Sequence, residues 1–303
     1  MSLKVDHQLG REVTITAGDV PIVTYVYVPD TVQLESPKPY LHPIRTLDGD
    51  LVSLFRPHDH VWHKGIAWSL PHLGEHNFWG GPTYVHGRFY VQQENNGTAA
   101  HRDMTRLTVD GDTAALTHRL DWTSQQGAPV VDETRSLTVS LLDDVSWSLV
   151  FETAMTNVSG ATLHIGSPTT KGRENAGYGG LFWRGPRSFT NGTAQSPDGV
   201  GADNLRGTRA EWFAYRGKHD ETGRASTIVM VDDVRNPQHP PQWFTRSEEF
   251  ACLCPAPFFS EELPFEAGAT LTFRYAVVIA AGDHGDEGTH KLADQGRSVL
   301  AGS

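Results

Sequence analysis

Hydrophobic and polar residues alternate with a period of two along much of the chain. The clearest segment is residues 270–281, in which Leu271, Phe273, Tyr275, Val277 and Ile279 occupy every second position. Successive side chains of a strand point to opposite faces, so this spacing predicts a strand with one buried face. The same alternation occurs in residues 137–141 and 145–151, on either side of a short acidic turn, and predicts a long hairpin.

Turn-forming residues separate these alternating segments. Asp110-Gly111-Asp112 lies between residues 107–109 and 115–117 and predicts another hairpin. Only residues 289–300 have a helical pattern, with Thr289 as the expected N-cap. We therefore predict an all-β fold, a large antiparallel two-sheet β-sandwich with one short C-terminal helix, and we treat residues 1–303 as a single domain.

One long region interrupts the alternation. Residues 167–204 contain many glycines among arginine, asparagine and aromatic residues. A long irregular segment inside a compact domain is more typical of a binding loop than of a linker. We expect part of a ligand site in this region.

Composition narrows the classes of partner. The chain has 303 residues, a formal net charge of -11 and no basic run, which argues against nucleic acid as a ligand. No apolar run is long enough to cross a membrane, and the first residues lack the apolar core of a signal peptide, so we expect a cytoplasmic protein. Cys252 and Cys254, the only cysteines, are expected to be reduced and buried.

The densest chemistry lies in residues 56–65, where His58, His60 and His63 stand beside other polar and aromatic side chains. Imidazole titrates near neutral pH and is also a frequent ligand of transition metals. One interpretation makes His60 and His63 proton-transfer residues of a sugar site that needs no cofactor. A second makes all three histidines ligands of a divalent transition metal in an oxygenase or a lyase. A third makes them hydrogen-bonded structural residues of a polar loop.

Aromatic residues next to glycines form a second group of candidates. Sugar rings stack their apolar faces on aromatic side chains, while neighbouring polar groups bind the hydroxyls. Among the aromatic residues we select Trp79 and Tyr178 as ligand contacts, with Asn77 as a polar contact beside them. The alternative is that these rings fill the core, as most aromatic side chains of β proteins do.

Arginines and one carboxylate complete the predicted site. Arg173 is expected to bind a carboxylate or a pair of hydroxyls through its forked guanidinium, and Glu174 is the favoured carboxylate base. His42, Arg45 and His58 are added as substrate-binding residues. For Arg173 and Glu174 the alternative is an ion pair in a solvated loop.

Several motifs together resemble those of a bacterial family. The motifs are Tyr40-Leu41-His42-Pro43-Ile44-Arg45-Thr46, Pro57-His58-Asp59-His60-Val61-Trp62-His63-Lys64-Gly65, Asn77-Phe78-Trp79-Gly80, and two stretches within residues 166–184. They resemble proteins that are labelled methane oxygenase PmoA-like and whose function is essentially uncharacterised. The resemblance covers most of the chain.

The C-terminal part has a second resemblance. Residues 255–258 and 263–275 are similar to the last strands of galactose-mutarotase-like β-supersandwiches, in which a proline-rich loop and a Glu-x-Gly turn precede a long strand. That resemblance implies a sandwich whose concave face binds carbohydrate. Mutarotases use a histidine acid and a glutamate base without a metal.

The sequence hypothesis is therefore a carbohydrate-active or carbohydrate-binding protein. It acts on a sugar or sugar acid by histidine and glutamate acid–base chemistry, of the epimerase, lyase or hydrolase type. The alternatives are the metal-dependent enzyme and a sugar-binding module without catalysis. No phosphate-binding glycine loop and no Gly-x-Ser-x-Gly motif occur, which disfavours nucleotide-dependent and serine-hydrolase chemistry.

Overall fold

The computed structural model describes residues 1–302, which form 22 β-strands, three short 3-10 turns and one α-helix. In chain order the elements are β1 (Leu3–Gln8), β2 (Glu12–Ala17), β3 (Val20–Val26), β4 (Tyr40–Ile44), β5 (Ile66–Ser69), β6 (His72–Leu73), β7 (Thr83–Val85), β8 (Phe89–Val91), β9 (Thr98–Asp110), β10 (Thr113–Thr123), β11 (Pro129–Leu141), β12 (Ser146–Asn157), β13 (Leu163–Gly166), β14 (Gly180–Arg184), β15 (Thr193–Ser196), β16 (Gly199–Gly201), β17 (Trp212–Lys218), β18 (Ala225–Asp232), β19 (Gln242–Arg246), β20 (Cys252–Ala256), β21 (Leu263–Phe265), β22 (Thr270–Ala281) and α1 (Gly285–Gly302).

Two large antiparallel sheets dominate the architecture. The first sheet has the strand order β1-β2-β3-β4-β5-β14-β20-β19. The second sheet has the order β16-β15-β17-β18-β22-β12-β11-β10-β9. Two small sheets, β21-β13-β6 and β7-β8, lie beside them. The predicted fold class, an antiparallel two-sheet sandwich with a C-terminal helix, is confirmed.

The main core lies between the two large sheets. Trp68 of β5 packs on Phe273 of β22, with ring centroids 5.1 Å apart, and so joins the first sheet to the second. The predicted hairpins at residues 110–112 and 143–144 are both present and belong to the second sheet. Apolar alternation along these strands therefore indicated the buried inner face correctly.

Helix α1 covers the outer face of the second sheet, where Leu292 and Leu300 pack against Ala276 and Val278. It begins at Gly285, four residues before the predicted start. The predicted N-cap was wrong, because Thr289 lies inside the helix and its hydroxyl donates a hydrogen bond to the carbonyl of Gly285. A threonine hydroxyl can bond the preceding turn of a helix as readily as it caps one.

The predicted irregular region contains three strands, β14, β15 and β16. Strand β14 lies in the middle of the first sheet, between β5 and β20. Leu181 and Trp183 face the main core, whereas Phe182 packs into a separate apolar cluster on the outer face. Because both faces of this strand are buried, its sequence shows no alternation, and the expectation of a continuous loop was wrong there.

The cysteines agree with a smaller expectation. Cys252 and Cys254 are buried and not disulfide-bonded. Within residues 1–302 no helix combines the length and the hydrophobicity that crossing a bilayer would require.

Candidate functional site

A cavity of about 320 Å³ opens on the outer face of the first sheet, on the side opposite to the main core. Its floor is formed by side chains of two strands, Phe182 of β14 and Phe244 and Arg246 of β19. Loop residues form its walls: His60, Trp62, His63, Trp79, Gly80, Pro82, Arg173, Tyr178, Glu249 and Phe250, together with Tyr90 of β8.

The floor follows from the alternation of side chains along the strands. Trp183 and Trp243 point into the main core, so their neighbours Phe182 and Phe244 point to the outer face. The sheet thus presents aromatic rings to the cavity, while the same strands contribute tryptophans to the core.

Two consecutive turns bring His60 and His63 together. The amide of His60 donates to the carbonyl of Pro57 at 3.0 Å, and the amide of His63 donates to the carbonyl of His60 at 2.9 Å. The two imidazoles stack with centroids 4.8 Å apart and planes inclined by 17°. Turns, not a strand, therefore produce the juxtaposition of the two rings.

The two imidazoles have different polar partners. Arg184, at the end of β14, donates from Nη1 to Nδ1 of His63 at 3.1 Å. Its guanidinium is buried and lies 3.6 Å from the ring centroid of Phe250. By contrast, Nδ1 of His60 lies 3.1 Å from Oδ2 of Asp59, and Arg187 contacts the other oxygen of that carboxylate.

Burial keeps both rings neutral at neutral pH. Loss of hydration lowers the pKa of His63 well below its usual value, and the positive charges of neighbouring groups, among them Arg184, lower it further. Burial also lowers the pKa of His60, although the Asp59 carboxylate partly opposes this effect. Burial raises the pKa of Asp59, but its contacts with His60 and Arg184 outweigh burial and leave that pKa below the usual value.

A buried ion cluster anchors the histidine loop. Glu35 accepts a salt bridge from Lys64 at 2.9 Å and another from Arg56 at 2.7 Å. Glu35 and Lys64 are almost fully buried, whereas Arg56 is half-exposed. The residues that flank His60 and His63 are therefore tied to the segment that contains Glu35.

A second set of contacts fixes the loop that carries Trp79. The side-chain oxygen of Asn77 accepts hydrogen bonds from the amides of Trp79 and Gly80. The ammonium group of the buried Lys38 donates to the carbonyl of Trp79 at 2.9 Å. Asn77 was predicted to contact the ligand, but its amide nitrogen also bonds within the protein, so it supports Trp79 from behind.

Glycine is required where this loop passes Trp62. A Cβ atom on Gly80 or on Gly81 would lie 2.6 Å from side-chain atoms of Trp62, and both glycines have positive φ angles. The close approach of backbone and indole places Trp62 in the cavity wall.

Arginines supply positive charge to the cavity. The guanidinium of Arg173 lies over the ring of Tyr90 at 4.7 Å and hydrogen-bonds its hydroxyl, which also bonds the hydroxyl of Tyr178 at 2.8 Å. Arg246 forms an ion pair with Glu249. Both guanidinium groups are permanently charged, so the cavity attracts anions or polar oxygens.

The structure brings together five of the predicted residues: His60, His63, Trp79, Arg173 and Tyr178 all line the cavity. It leaves Glu174 outside, with an exposed side chain, so the predicted base is not at the site.

The remaining predicted contacts also lie outside the cavity. His42 bonds Ser53 and stacks on Phe55, and burial lowers its pKa to about 4. Arg45 donates to the carbonyl of Gly49 within its own turn. His58 is exposed beside Arg187. His42 and Arg45 thus serve local structure. His58 faces solvent, because the turns that join His60 to His63 direct it away from the cavity.

The alternative metal site is not assembled. Over residues 1–302, no three histidine, cysteine, aspartate or glutamate side chains are grouped so that they could hold a metal ion. His58 does not line the cavity with the other two histidines, and Arg184 already occupies Nδ1 of His63.

Several cavity residues were not predicted from the sequence. Tyr90, Phe244, Arg246, Glu249 and Phe250 are far in sequence from the histidine loop. Phe244 and Arg246 stand two apart on β19, a spacing that assigns them to one face of a strand. That signal was present, but only the strand order β5-β14-β20-β19 shows that this face adjoins the histidines.

The fold and the cavity define an all-β sandwich protein with an aromatic pocket that contains histidines and arginines. The chain belongs to a family described as a family of unknown function (DUF6807), whose sequence profile matches residues 12–294. This match gives no support to the methane-oxygenase label that the motifs resembled. Among curated proteins, no sequence matches the chain.

Several solved structures are weakly similar to this chain. A Klebsiella pneumoniae protein assigned as an aldose 1-epimerase has a TM-score of 0.41 and 10% identity, over 99% of this chain and 86% of that one. A heparan sulfate lyase from Pedobacter heparinus has a TM-score of 0.40 and 9% identity, over 90% of this chain. An alpha-galactosidase from Geobacillus stearothermophilus in complex with raffinose has a TM-score of 0.39 and 11% identity, over 95% of this chain.

The chain spans only 34% of the lyase and 42% of the galactosidase. These similarities are too weak to assign any chemistry to the cavity, so its function has to be argued from its own residues.

Proposed function

We propose that the protein binds a sugar or sugar acid in this cavity and acts on it by proton transfer through His60. The observation that carries the proposal is a pair of stacked imidazoles, whose pKa values burial lowers, in the wall of an aromatic cavity that also contains two arginines. Neutral imidazole is a competent proton acceptor near pH 7, and His60 is the more exposed of the two rings.

The size of the cavity supports a small ligand. Ligand pockets typically measure about 300–1,000 Å³, so 320 Å³ lies at the small end of that range. A monosaccharide or a single sugar-acid unit suits such a volume better than a long polymer does.

The walls support a ligand with both apolar and polar faces. Trp62, Trp79 and Phe244 offer rings on which the C–H face of a sugar can stack. Arg173 and Arg246 offer forked donors for a carboxylate or for vicinal hydroxyls. This combination favours an acidic sugar over an apolar ligand.

Binding is tested first, by titrating the protein with D-glucose, D-galactose, D-glucuronate and D-galacturonate and following the ligands by NMR. We expect a uronate to bind and Arg173→Gln to weaken that binding about tenfold or more, because hydrogen bonds to charged groups contribute about 1.5–3 kcal/mol. The matched control is Arg88→Gln, which removes an exposed arginine outside the cavity and should leave binding unchanged. Absence of binding across the panel would contradict the proposal.

Proton transfer is tested with His60→Gln in a turnover assay on any sugar that binds. We expect the variant to retain ligand binding and to lose about 10²–10⁴-fold in rate, the usual contribution of general acid–base catalysis. Turnover at the parental rate would remove His60 from the mechanism. Binding without turnover by the parent protein would instead identify a non-catalytic sugar-binding module.

A further inference from the structure

The charged groups next to the two stacked imidazoles indicate where each ring carries its proton. An arginine guanidinium has only donor groups, so the atom that it contacts has to accept. Arg184 donates to Nδ1 of His63, and a neutral imidazole with an unprotonated Nδ1 carries its hydrogen on Nε2. His63 is therefore the Nε2–H tautomer.

The carboxylate next to His60 favours the opposite arrangement. An ionised carboxylate only accepts, and Oδ2 of Asp59 lies 3.1 Å from Nδ1 of His60. The contacts with His60 and Arg184 keep the pKa of Asp59 low, so this carboxylate is ionised at neutral pH. Nδ1 of His60 makes no aligned hydrogen bond, but the negative charge 3.1 Å away disfavours a lone pair on that atom. The hydrogen of His60 therefore resides on Nδ1, and Nε2 keeps a free lone pair.

We propose that His60 and His63 hold opposite neutral tautomers, so that His60 offers a proton acceptor and His63 a hydrogen-bond donor to the same ligand. Among residues 1–302 no protein group hydrogen-bonds either Nε2 atom, and both residues line the cavity. Asp59 and Arg184 act as positioning residues, because each sets the tautomer of the ring that it contacts. The roles of the two rings toward a ligand rest on the proposed function, whereas their tautomers can be measured in the free protein.

This division determines the proton-transfer step. A C–H or O–H bond of the ligand breaks heterolytically, its proton moves to Nε2 of His60, and the bonding electron pair stays on the ligand. The carboxylate of Asp59 stabilises the imidazolium that forms. The Nε2–H group of His63 hydrogen-bonds the ligand oxygen on which negative charge develops and keeps its own proton.

The arrangement suits some reactions better than others. Removal of a proton from carbon next to a carboxylate or carbonyl group needs one base and one donor to the developing oxyanion, and the two rings supply these. Hydrolysis of a glycosidic bond needs a strong acid for the leaving group, and a ring that burial keeps from forming the imidazolium is a poor one. The tautomers therefore favour epimerisation or elimination over hydrolysis.

The test is an NMR measurement on the free protein labelled with ¹⁵N-histidine. Long-range correlations between ring protons and ring nitrogens distinguish the two tautomers directly, and His60→Gln and His63→Gln identify the relevant signals among the 15 histidines. We expect a proton on Nδ1 of His60 and on Nε2 of His63. The same tautomer in both rings, or the reverse assignment, would overturn the proposal without any variant of Asp59 or Arg184.

Two variants test the positioning residues. Arg184→Met should release His63 from the Nε2–H tautomer. The tautomer of His60 should persist in that variant, because Arg187 still contacts the Asp59 carboxylate. Asp59→Asn should alter only His60. The control Arg11→Met removes an exposed arginine at the sheet edge and should change neither ring. If Arg184→Met fails to fold, Arg184→Lys, which retains a donor and a charge, should preserve the tautomer of His63.

These outcomes separate this inference from the proposed function. Opposite tautomers together with no sugar binding would leave the inference standing and refute the sugar proposal. Sugar binding together with identical tautomers would do the reverse. Unchanged His63 signals in a folded Arg184→Met protein would show that Arg184 does not set the tautomer.

Discussion

Arg246 and Glu249 form an ion pair beside the cavity, and both residues line it. Arg246 is largely buried and lies near the ring of Phe250, whereas the side chain of Glu249 is 69% exposed. The carboxylate is thus the solvent-exposed half of the pair, and an acidic ligand could replace it on the guanidinium. Glu249 would then act as a competing anion that occupies Arg246 while the cavity is empty.

Removing this competitor should strengthen binding of an acidic sugar. We expect Glu249→Gln to increase the affinity for a bound uronate about two- to fivefold at low ionic strength, because exposed ion pairs contribute at most about 1 kcal/mol. Arg246→Gln should have the opposite effect. Isothermal titration calorimetry at two salt concentrations measures both changes.

A neutral sugar provides the control for the same variants. The affinity for D-glucose or D-galactose should not change in Glu249→Gln, since no charge on the ligand competes with the carboxylate. Equal gains for neutral and acidic sugars would show that Glu249 blocks the cavity sterically, which would contradict the electrostatic explanation.

The contact between Gly81 and Trp62 leads to a prediction about the cavity wall. Alanine at Gly81 would place a Cβ atom 2.6 Å from the indole ring, and the φ angle of +66° disfavours a side chain as well. We expect Gly81→Ala to lower the free energy of unfolding by about 2–4 kcal/mol, from backbone strain and overpacking together. It should also weaken ligand binding, because Trp62 has to move.

Gly87 offers a matched control for this change. Its φ angle is +75°, but no atom lies within 4 Å of the position of a Cβ atom. Gly87→Ala should therefore show only the strain of about 1–2 kcal/mol. Chemical denaturation of both variants isolates the steric part, and equal losses in the two would mean that Trp62 adapts freely.

The ion cluster of Glu35, Lys64 and Arg56 should contribute strongly to the free energy of unfolding, although Glu35 does not line the cavity. Glu35→Gln leaves the buried ammonium group of Lys64 without its counter-charge, and breaking a buried pair in this way costs about 3–5 kcal/mol. Glu211→Gln, which breaks an exposed pair with Arg297, should cost no more than about 1 kcal/mol. Urea denaturation at pH 7 gives both values.

The same cluster predicts a response to acid. Burial raises the pKa of Glu35, but hydrogen bonds and charges from Arg56 and Lys64 outweigh burial and lower it. A carboxyl group whose pKa is lower in the folded protein stabilises the fold fully above its unfolded pKa, and this contribution disappears as the pH falls through the folded pKa. Glu35→Gln should therefore flatten the loss of stability below about pH 4. An acid titration of the variant that parallels the parent would contradict this account.

Sequence reasoning was most accurate where each side chain had a single role. The alternation in β22 and the hairpin at Asp110-Gly111-Asp112 gave strands in the correct places, because one face of each strand packs on the main core. It failed for β14, where Leu181 and Phe182 are both buried on opposite faces and the period of two disappears.

The candidate site was predicted only in part, because sequence patterns identify residues that lie close together in the chain. His60 and His63 were found because they are close in sequence, and Trp79 because it stands among glycines. Arg246 was missed because its place in the cavity depends on the strand order, which joins segments far apart in the chain. Glu174 is next to Arg173 in the sequence but stays outside the cavity, because adjacent residues need not face the same way.

A last prediction concerns Asp232, far in sequence from the histidine loop, at the end of β18. Burial raises its pKa to about 6, and hydrogen bonds from Asn236 and His239 offset burial only partly. A group whose pKa is raised on folding stabilises the folded protein fully below its unfolded pKa, and this contribution is lost as the pH rises through the folded value. The free energy of unfolding of the parent should therefore fall by about 2–3 kcal/mol between about pH 4 and pH 6 because of Asp232.

Asp232→Asn should lack that dependence on pH, whereas Asp294→Asn, an exposed control on α1, should retain it. Thermal unfolding across this pH range measures the slope, and a parental slope in Asp232→Asn would show that Asp232 ionises as freely in the folded protein as in the unfolded chain.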